Sequence, residues 1–267
     1  MSPSSTAFFF VPGAFCPGSY YHKVVSLLQA RGYYARALDL PSMDPALREA
    51  GETPGLYADA DYVRENVSGP LDEGKHVIIV ASSYGSAVTL EACKGITAGE
   101  REVNRKGMGS GGELKHLVLL GVLLADAGPT VTELISGVVS VDDTDARMPG
   151  VVTHIEPNDV GLTSAVLCGS LPKEEQEYYG AMGKPISAKA FNEPLTFAAW
   201  EKVPTTLIIG DKDLALAPER QHEYFDKAVG KGVSHLRKVV VEGGDHLTML
   251  SHPEEVIKVC LEAAGDA

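Results

Sequence analysis

Residues 76–85 read HVIIVASSYG, and this stretch decides the fold of the chain. Its first part, His76–Ala81, is rich in valine and isoleucine without polar alternation, which is typical of a strand covered on both faces. Its last part places Ser83 between two small residues, Ala81 and Gly85. Small residues at these two positions allow the sharp strand-to-helix turn called the nucleophile elbow, although alanine here replaces the usual first glycine. The pattern therefore predicts an exposed serine hydroxyl at the end of a buried strand.

Of the two serines in this turn, Ser83 fits the elbow pattern better than Ser82. Ser82 as the central serine would put Val80 and Tyr84 at the positions that require small residues. The tight turn holds the Ser83 hydroxyl out of the sheet, and the N-terminus of the following helix favours a developing negative charge. A serine before a helix is commonly no more than an N-cap, so the motif alone leaves a structural role open.

Short apolar segments alternate with helix-like segments along the rest of the chain. The apolar segments predict strands at Ala7–Val11, Tyr34–Leu40, His76–Ala81, Leu117–Leu124, Thr205–Ile209 and Arg237–Val241. The segments between them predict helices at Tyr20–Gly32, Ala58–Leu71, Gly85–Cys93, Pro218–Val229 and Pro253–Ala264. Such alternation is typical of a parallel sheet with crossover helices. The predicted fold class is α/β, with about six mostly parallel strands flanked by helices.

A long insertion is predicted between the fourth and fifth strands. Residues 127–199 far exceed what a simple crossover requires. They contain three segments with helical character: Val131–Val138, Lys173–Met182 and Ser187–Phe191. We interpret residues 127–199 as a small helical lid, inserted into a core formed by residues 1–126 and 200–267. Gly95–Glu113 is polar and glycine-rich and is predicted to be a loose surface loop.

Composition restricts the partners and the compartment. The net charge of −13 argues against nucleic acid as the main partner. The four cysteines lie far apart without a CxxC pair, as expected of buried thiols rather than a disulfide framework. The first apolar run, Ala7–Val11, is too short for a secretory or membrane segment. The sequence predicts a cytoplasmic protein with a small-molecule substrate and no membrane partner, and it leaves a homodimer open.

No cofactor or metal is predicted. The loop after the first strand contains glycines but lacks the Lys-Ser/Thr of a phosphate-binding loop, and no GxGxxG follows that strand. The eight histidines do not fall at metal-ligand spacings such as HxxxH.

Acid–base candidates follow the last two strands. The sequence GDKD closes the fifth strand at residues 210–213, and GGDH follows the sixth at residues 243–246. Loops at the carboxyl ends of parallel strands share one crevice, so we expect these residues to meet Ser83. The order Ser…Asp…His is that of α/β-hydrolases. His246 would accept the serine proton, and an aspartate would orient the imidazole.

Three aspartates compete for the orienting role. Asp213 is favoured because it stands further from the strand end than Asp211, and Asp126, after the fourth strand, is the third candidate. Aspartates in glycine-flanked turns are commonly turn residues, and a single histidine is more often structural than catalytic. Agreement in order, spacing and strand-end context favours the catalytic interpretation.

The remaining candidates concern the oxyanion hole and the pocket. Backbone N–H groups of Tyr84, directly after the nucleophile, and of Ala14, in the loop after the first strand, are expected to bind the carbonyl oxygen. Pro12 in that loop has no N–H to offer. Since small-molecule pockets are mostly apolar, we expect side chains near these motifs to line one. The candidates, each of which also suits a core position, are Phe15, Tyr84, Leu134, Phe191, Phe197 and Leu247.

With these motifs placed, the chain resembles the plant methylesterase and hydroxynitrile-lyase branch of the α/β-hydrolase superfamily, and its fungal and bacterial esterase relatives, nearly end to end. The similar segments are Val11–Ala14, Leu38–Pro41, Glu193–Pro204, Glu242–His246 and Met249–Pro253. The resemblance implies an α/β-hydrolase fold with a six-stranded parallel sheet, a lid and an apolar pocket. It also implies a catalytic triad of Ser83, Asp213 and His246.

The chain departs from that branch at three positions. Hydroxynitrile lyases carry a lysine directly after the histidine, where this chain has Leu247, so hydrolysis is favoured over cyanohydrin cleavage. Pro12 replaces the usual histidine of the oxyanion loop, and Ala81 replaces the first elbow glycine. The expected function is cleavage of a small apolar or aromatic ester or lactone through an acyl-enzyme. A lyase or cyclase of secondary metabolism, and a small-ligand receptor, remain as alternatives.

Overall fold

The computed structural model describes residues 5–104, 111–122, 124–136, 154–157 and 164–266, and its centre is a parallel sheet. The strands of this sheet are β1 (Thr6–Val11), β2 (Tyr34–Ala37), β3 (His76–Ser82), β4 (Leu114–Leu120), β7 (Thr205–Gly210) and β8 (Leu236–Val241). Two short strands, β5 (His154–Ile155) and β6 (Ile186–Ser187), pair separately and antiparallel. The order across the sheet is β2-β1-β3-β4-β7-β8. All neighbouring strands run parallel, which confirms the α/β class.

Helices cover both faces of this sheet. Outside the insertion they are α1 (His22–Ala30), α2 (Pro45–Glu49), α3 (Leu56–Asp72), α4 (Tyr84–Ala92), α5 (Ala98–Asn104), α10 (Pro218–Gly230), α11 (Thr248–Ser251) and α12 (Pro253–Ala264). One apolar core lies between the sheet and α3, α4 and α10. A second lies between the opposite face and α1, α11 and α12. No helix among the described residues is long and apolar enough to cross a membrane.

The central strands explain why the sequence shows apolar runs without alternation. In β1, Phe9 faces the first core, whereas Phe8 and Phe10 face the second. In β3, Ile79 faces the first core and Ile78 faces the second. Successive side chains of a strand point to opposite faces, so a strand between two layers of helices must be apolar at every position.

The fourth strand differs from its predicted bounds of Leu117–Leu124. β4 begins earlier because Leu114 is buried and pairs with Val77 of β3. It ends earlier because Gly121 adopts a φ of 53°, a left-handed conformation that strands do not contain. Val122, Leu124 and Ala125 are buried for another reason, because they pack into the first core outside any strand.

The second strand also ends early, at Ala37 instead of the predicted Leu40. Asp39 turns away from the sheet and accepts a hydrogen bond from the Gly18 backbone N–H at 3.1 Å. A 3-10 turn over Pro41–Met43 follows directly, because proline is suited to the first position of a helical turn.

The prediction of a loose loop over Gly95–Glu113 is wrong for its first half. This part forms α5, and Ile96 is buried. The Glu100 carboxylate accepts hydrogen bonds from the Thr97 hydroxyl at 2.5 Å and the Thr97 backbone N–H at 3.3 Å. Thr97 and Glu100 have the spacing of a capping box, a helix-start signal that the glycine content concealed. The part of the prediction on residues 105–110 lies outside the described residues.

The insertion contains more regular structure than the sequence predicts. Its helices are α6 (Val131–Ile135), α7 (Ser164–Cys168), α8 (Lys173–Ala181) and α9 (Lys189–Asn192). The predicted segments Val131–Val138 and Lys173–Met182 correspond to α6 and α8, although residues 137 and 138 lie outside the described residues. Ser187–Phe191 is not one helix, because Ser187 is in β6 and α9 begins at Lys189.

Candidate active site

Ser83 lies at the turn between β3 and α4 with a strained backbone. Its φ of 50° and ψ of −124° are unusual for a residue with a side chain, and such conformations cluster at functional sites. Its backbone N–H donates to the Leu120 carbonyl oxygen at 2.9 Å, which fixes the turn against β4. Ser83 is half-buried, whereas the neighbouring Ser82 is fully buried. A Cβ at Gly85 would lie 2.4 Å from the Pro12 carbonyl oxygen, so this position requires glycine.

His246 and Asp213 form a buried pair. The Asp213 Oδ2 lies 2.8 Å from His246 Nδ1, and both side chains are almost wholly removed from solvent. Because a carboxylate only accepts hydrogen bonds, Nδ1 carries the proton in the neutral imidazole, and Nε2 is left as the base.

The Asp213 carboxylate is fixed on both oxygens. Oδ1 accepts hydrogen bonds from the backbone N–H groups of Ala215 at 2.9 Å and Leu216 at 2.8 Å. Oδ2 accepts a second bond, besides the one from the imidazole, from Gln221 Nε2 at 2.8 Å. The carboxylate therefore has one orientation, and it holds the ring of His246 in one orientation too.

The two competing aspartates are engaged elsewhere. The Asp211 Oδ1 accepts a hydrogen bond from the Gly243 backbone N–H at 2.7 Å and so ties together the loops after β7 and β8. Asp126 is exposed and forms an ion pair with Lys231 of the segment after α10. Of the three candidates, the structure brings Asp213 to His246.

Gly121 is a site position that the sequence analysis missed. A Cβ at this residue would lie 2.9 Å from His246 Nδ1 and 3.3 Å from Asp213 Oδ2. The end of β4 therefore presents bare backbone to the imidazole–carboxylate pair. The available signal was a glycine that interrupts the fourth apolar run, Leu117–Leu124, near the same sheet edge as the other candidates.

The loop after β1 lies against the nucleophile. A Cβ at Gly13 would come within 3.1 Å of Ser83 Cβ, so the backbone that leads into Ala14 passes beside the serine. The loop turns sharply there: the Cys16 N–H donates to the Gly13 carbonyl oxygen at 3.2 Å, and Phe15 has a φ of 65°. The loop that carries Ala14 and the elbow that carries Tyr84 thus adjoin on either side of Ser83.

Three of the predicted lining residues form an aromatic cluster. The rings of Tyr84 and Phe191 are stacked, with centroids 5.6 Å apart and an interplanar angle of 13°. Phe15 lies on the same Phe191 ring at 6.3 Å. Because Phe191 belongs to α9, the cluster joins the insertion to the elbow and to the loop after β1.

A cavity of about 310 Å³ lies beside this cluster, between the loop after β1, the histidine loop and helices α7 and α8. Phe15 and Leu247 both line it. The other four candidates are not in its wall. Tyr84 and Phe191 belong to the adjoining aromatic cluster, Leu134 packs against the first core, and Phe197 is half-buried with the Lys202 Nζ 4.7 Å from its ring centre. The remaining wall is mostly apolar, aromatic or thiol-bearing, and it includes Cys16, Tyr20, Leu167, Cys168 and Tyr179.

The insertion is attached directly to the histidine loop. The buried Asp245 accepts hydrogen bonds from the Ser170 N–H at 3.0 Å and from the Ser251 hydroxyl at 2.8 Å. The Leu247 N–H donates to the Leu167 carbonyl oxygen at 2.9 Å. The segment around α7 therefore positions the residues on both sides of His246.

The electrostatics of the pair favour a charged imidazole. Burial alone lowers the pKa of His246, but the Asp213 carboxylate and its hydrogen bond outweigh this effect, with a smaller contribution from Asp245. The net result is a pKa above the ordinary value of 6.5. This arrangement stabilises the imidazolium that forms when the histidine accepts a proton. Among the described residues, no group of three His, Cys, Asp or Glu side chains could hold a metal ion.

The raised pKa gives a prediction about pH. If His246 is the base for Ser83 in ester cleavage, kcat/KM for p-nitrophenyl butyrate falls as the pH is lowered through a value above 6.5, because a protonated imidazole cannot accept the serine proton. A pH–rate profile from about pH 5 to about pH 9 measures this, with circular dichroism at each pH as the control for folding. A flat profile across that range would contradict the assignment of His246 as the base.

The fold and the site geometry define a class of protein. A parallel sheet with a serine elbow and a His–Asp pair at its carboxyl edge is the arrangement of α/β-hydrolases. The family model described as "Alpha/beta hydrolase family" matches residues 8–259, and the chain belongs to this family.

Relatives and solved structures agree with this assignment. The chain is 26% identical over 258 residues to "Probable hydrolase R7" of Phoma sp. (strain ATCC 20986 / MF5453), covering 96% of each chain. It is 27% identical over 263 residues to "Alpha/beta hydrolase nvfD" of Aspergillus novofumigatus (strain IBT 16806), covering 98% of this chain and 97% of the other. Both relatives are named as hydrolases, which supports a hydrolase.

The fold is shared with solved esterase structures. The methylesterase MES16 from Arabidopsis superposes with a TM-score of 0.69 at 19% identity, covering 98% of this chain and 100% of the other. Polyneuridine aldehyde esterase gives a TM-score of 0.68 at 16% identity, covering 97% and 99%. At these identities the likeness concerns the fold.

Proposed function

We propose that this chain is a serine hydrolase that cleaves a small apolar or aromatic ester or lactone through an acyl-enzyme. The observation that carries the proposal is the buried 2.8 Å contact between Asp213 Oδ2 and His246 Nδ1, at the same sheet edge as the strained and accessible Ser83. The fold brings many residues to this edge, but a buried imidazole that is oriented by a fixed carboxylate, beside an accessible serine, supplies the base, the orienting acid and the nucleophile of serine hydrolysis.

In the proposed reaction, His246 first accepts a proton from Ser83 and then gives it to the leaving group. His246 Nε2 takes the Ser83 proton as the serine oxygen attacks the carbonyl carbon of the ester. The N–H groups of Ala14 and Tyr84, with the N-terminus of α4, stabilise the negative charge on the carbonyl oxygen. The imidazolium then gives its proton to the leaving alcohol. Water, activated by the same imidazole, hydrolyses the acyl-enzyme and releases the acid.

The proposed substrate class rests on the cavity of about 310 Å³ beside the site. This volume is at the small end of the range for ligand pockets. Its wall is mostly apolar and aromatic, with Ser164 and Glu177 as polar members. Such a wall suits a compact hydrophobic part of the substrate, such as an aromatic or short branched acyl or alkoxy group, rather than a charged group. The only partner that the proposal requires is this small molecule.

The proposal is tested by labelling with a small alkyl fluorophosphonate, followed by mass spectrometry of the peptides. Such reagents react with activated serines, so we expect one label per chain, located on Ser83. Ser83→Ala and His246→Ala should abolish the label. Ser82→Ala is the matched control, because its hydroxyl is buried at the adjoining position, and it should keep the label. A folded wild-type protein that takes up no label would overturn the proposal.

A further inference from the structure

A second buried carboxylate lies behind the elbow. Asp59 of α3 is fully buried, and its Oδ2 accepts hydrogen bonds from the Tyr84 hydroxyl at 2.7 Å and the Ser42 hydroxyl at 2.5 Å. Its Oδ1 accepts a third from the Ser42 backbone N–H at 2.8 Å. Burying a carboxylate is costly unless its hydrogen bonds are satisfied, and here they are supplied by neutral groups. The carboxylate is therefore held in one orientation, and it holds the Tyr84 hydroxyl in turn.

Tyr84, the partner of Asp59, is the first residue of α4. Tyr84 follows the proposed nucleophile directly, and its backbone N–H is one of the two donors proposed for the oxyanion hole. Its ring is stacked on Phe191 of the insertion, which in turn contacts Phe15. One hydroxyl therefore connects α3 to the peptide that binds the carbonyl oxygen and to the aromatic cluster beside the cavity.

We propose that Asp59 is a positioning residue for the reaction: through the Tyr84 hydroxyl it fixes the Tyr84 N–H for the oxyanion and holds the ring against Phe191. This inference rests on the proposed function. The physical reason is that oxyanion stabilisation depends on donors that are already aligned before the charge develops. Elbow residues with only apolar contacts can rotate slightly, whereas a charge-assisted hydrogen bond restricts the side chain to one geometry.

The ionisation of Asp59 is consistent with this role. Burial raises its pKa to about 6, against the opposing effect of the bonds from Ser42 and Tyr84. Its two oxygens accept all three hydrogen bonds, one from an N–H group and two from hydroxyl groups, and this arrangement favours the charged form.

The test is Tyr84→Phe, which removes the hydroxyl and keeps the ring and the backbone N–H. We expect kcat for p-nitrophenyl butyrate to fall about tenfold, the effect of misaligning rather than deleting an oxyanion donor, with KM within about twofold. Asp59→Asn should give the same split between kcat and KM. The matched control is Tyr33→Phe, because the Tyr33 hydroxyl also donates to a carboxylate, that of Asp266, but at the amino end of β2. Tyr33→Phe should leave kcat unchanged.

Three outcomes separate this inference from the proposed function. If Tyr84→Phe is labelled by the fluorophosphonate about tenfold more slowly than wild type, the positioning role stands. If wild type is labelled at Ser83 and Tyr84→Phe is labelled equally fast with unchanged kcat, the positioning role is overturned and the hydrolase proposal survives. If wild type is not labelled, both are overturned. Should Asp59→Asn fail to fold, Tyr84→Phe, which removes no buried charge, decides alone.

Discussion

Ser83→Ala and His246→Ala are each expected to lower kcat for p-nitrophenyl butyrate about a million-fold, and the double variant no further. The serine oxygen forms the bond to the acyl group, and without the imidazole the hydroxyl stays protonated and a poor nucleophile. Groups that act as one unit in a single step give losses that do not add. Steady-state kinetics at protein concentrations determined by absorbance measures all three values.

The control for this series is Ser82→Ala, which changes a serine hydroxyl one residue from the nucleophile but on the buried side of β3. Its kcat should stay near that of wild type. Losses that add in the double variant would mean that Ser83 and His246 act in separate steps, which is contrary to the proposed mechanism.

Asp213→Asn is expected to lower kcat about ten-thousand-fold. Each of the two Asp213 carboxylate oxygens accepts hydrogen bonds from two N–H donors. In the asparagine variant, the NH₂ group therefore faces two N–H donors in either orientation of the side chain. If it faces His246, the imidazole proton moves to Nε2, and the ring can no longer accept a proton from Ser83. If it faces the backbone, two N–H groups lose their acceptor. The pH–rate profile of the variant should also move to lower pH, because the charge that raises the pKa of His246 is gone.

Asp211→Asn is the matched control. Asp211 lies two residues away in the same turn, and it accepts a hydrogen bond from the Gly243 N–H, which an asparagine oxygen can also do. We expect its kcat to stay within about threefold of wild type, since changes away from the reacting groups are usually small. A larger loss for Asp211→Asn than for Asp213→Asn would reassign the orienting acid.

Local signals in the sequence were enough to predict the sheet and the position of the elbow. The run 76–81 is apolar because β3 is central, and position 85 requires glycine because a Cβ there would meet the Pro12 carbonyl oxygen. The three proposed triad residues could be selected because each follows a strand, and parallel strands end at one edge. Assigning them required only the order of the residues along the chain and the direction of the strands, and both can be inferred from the sequence.

Features that depend on contacts between distant segments could not be predicted. Gly121 interrupts the fourth apolar run, but the sequence does not indicate which side chain will lie against its backbone, and nothing near Asp59 indicates a partner in Tyr84. The same reason explains why Leu134 and Phe197 lie outside the cavity of about 310 Å³. Leu134 and Phe197 are apolar residues of the insertion, and whether such a residue faces the cavity or the core depends on how the insertion packs.

The position of β7 next to β4 has a consequence for how the chain is made. The two strands pair directly, although residues 121–204 separate them in the sequence. A ribosome adds about 5–20 residues per second, so the apolar edge of β4 waits several seconds for its neighbour. Unpaired strand edges are templates for association with other chains. The nascent chain is therefore most prone to aggregation before residues 205–210 emerge, and a chaperone that binds exposed strands would protect it in that interval.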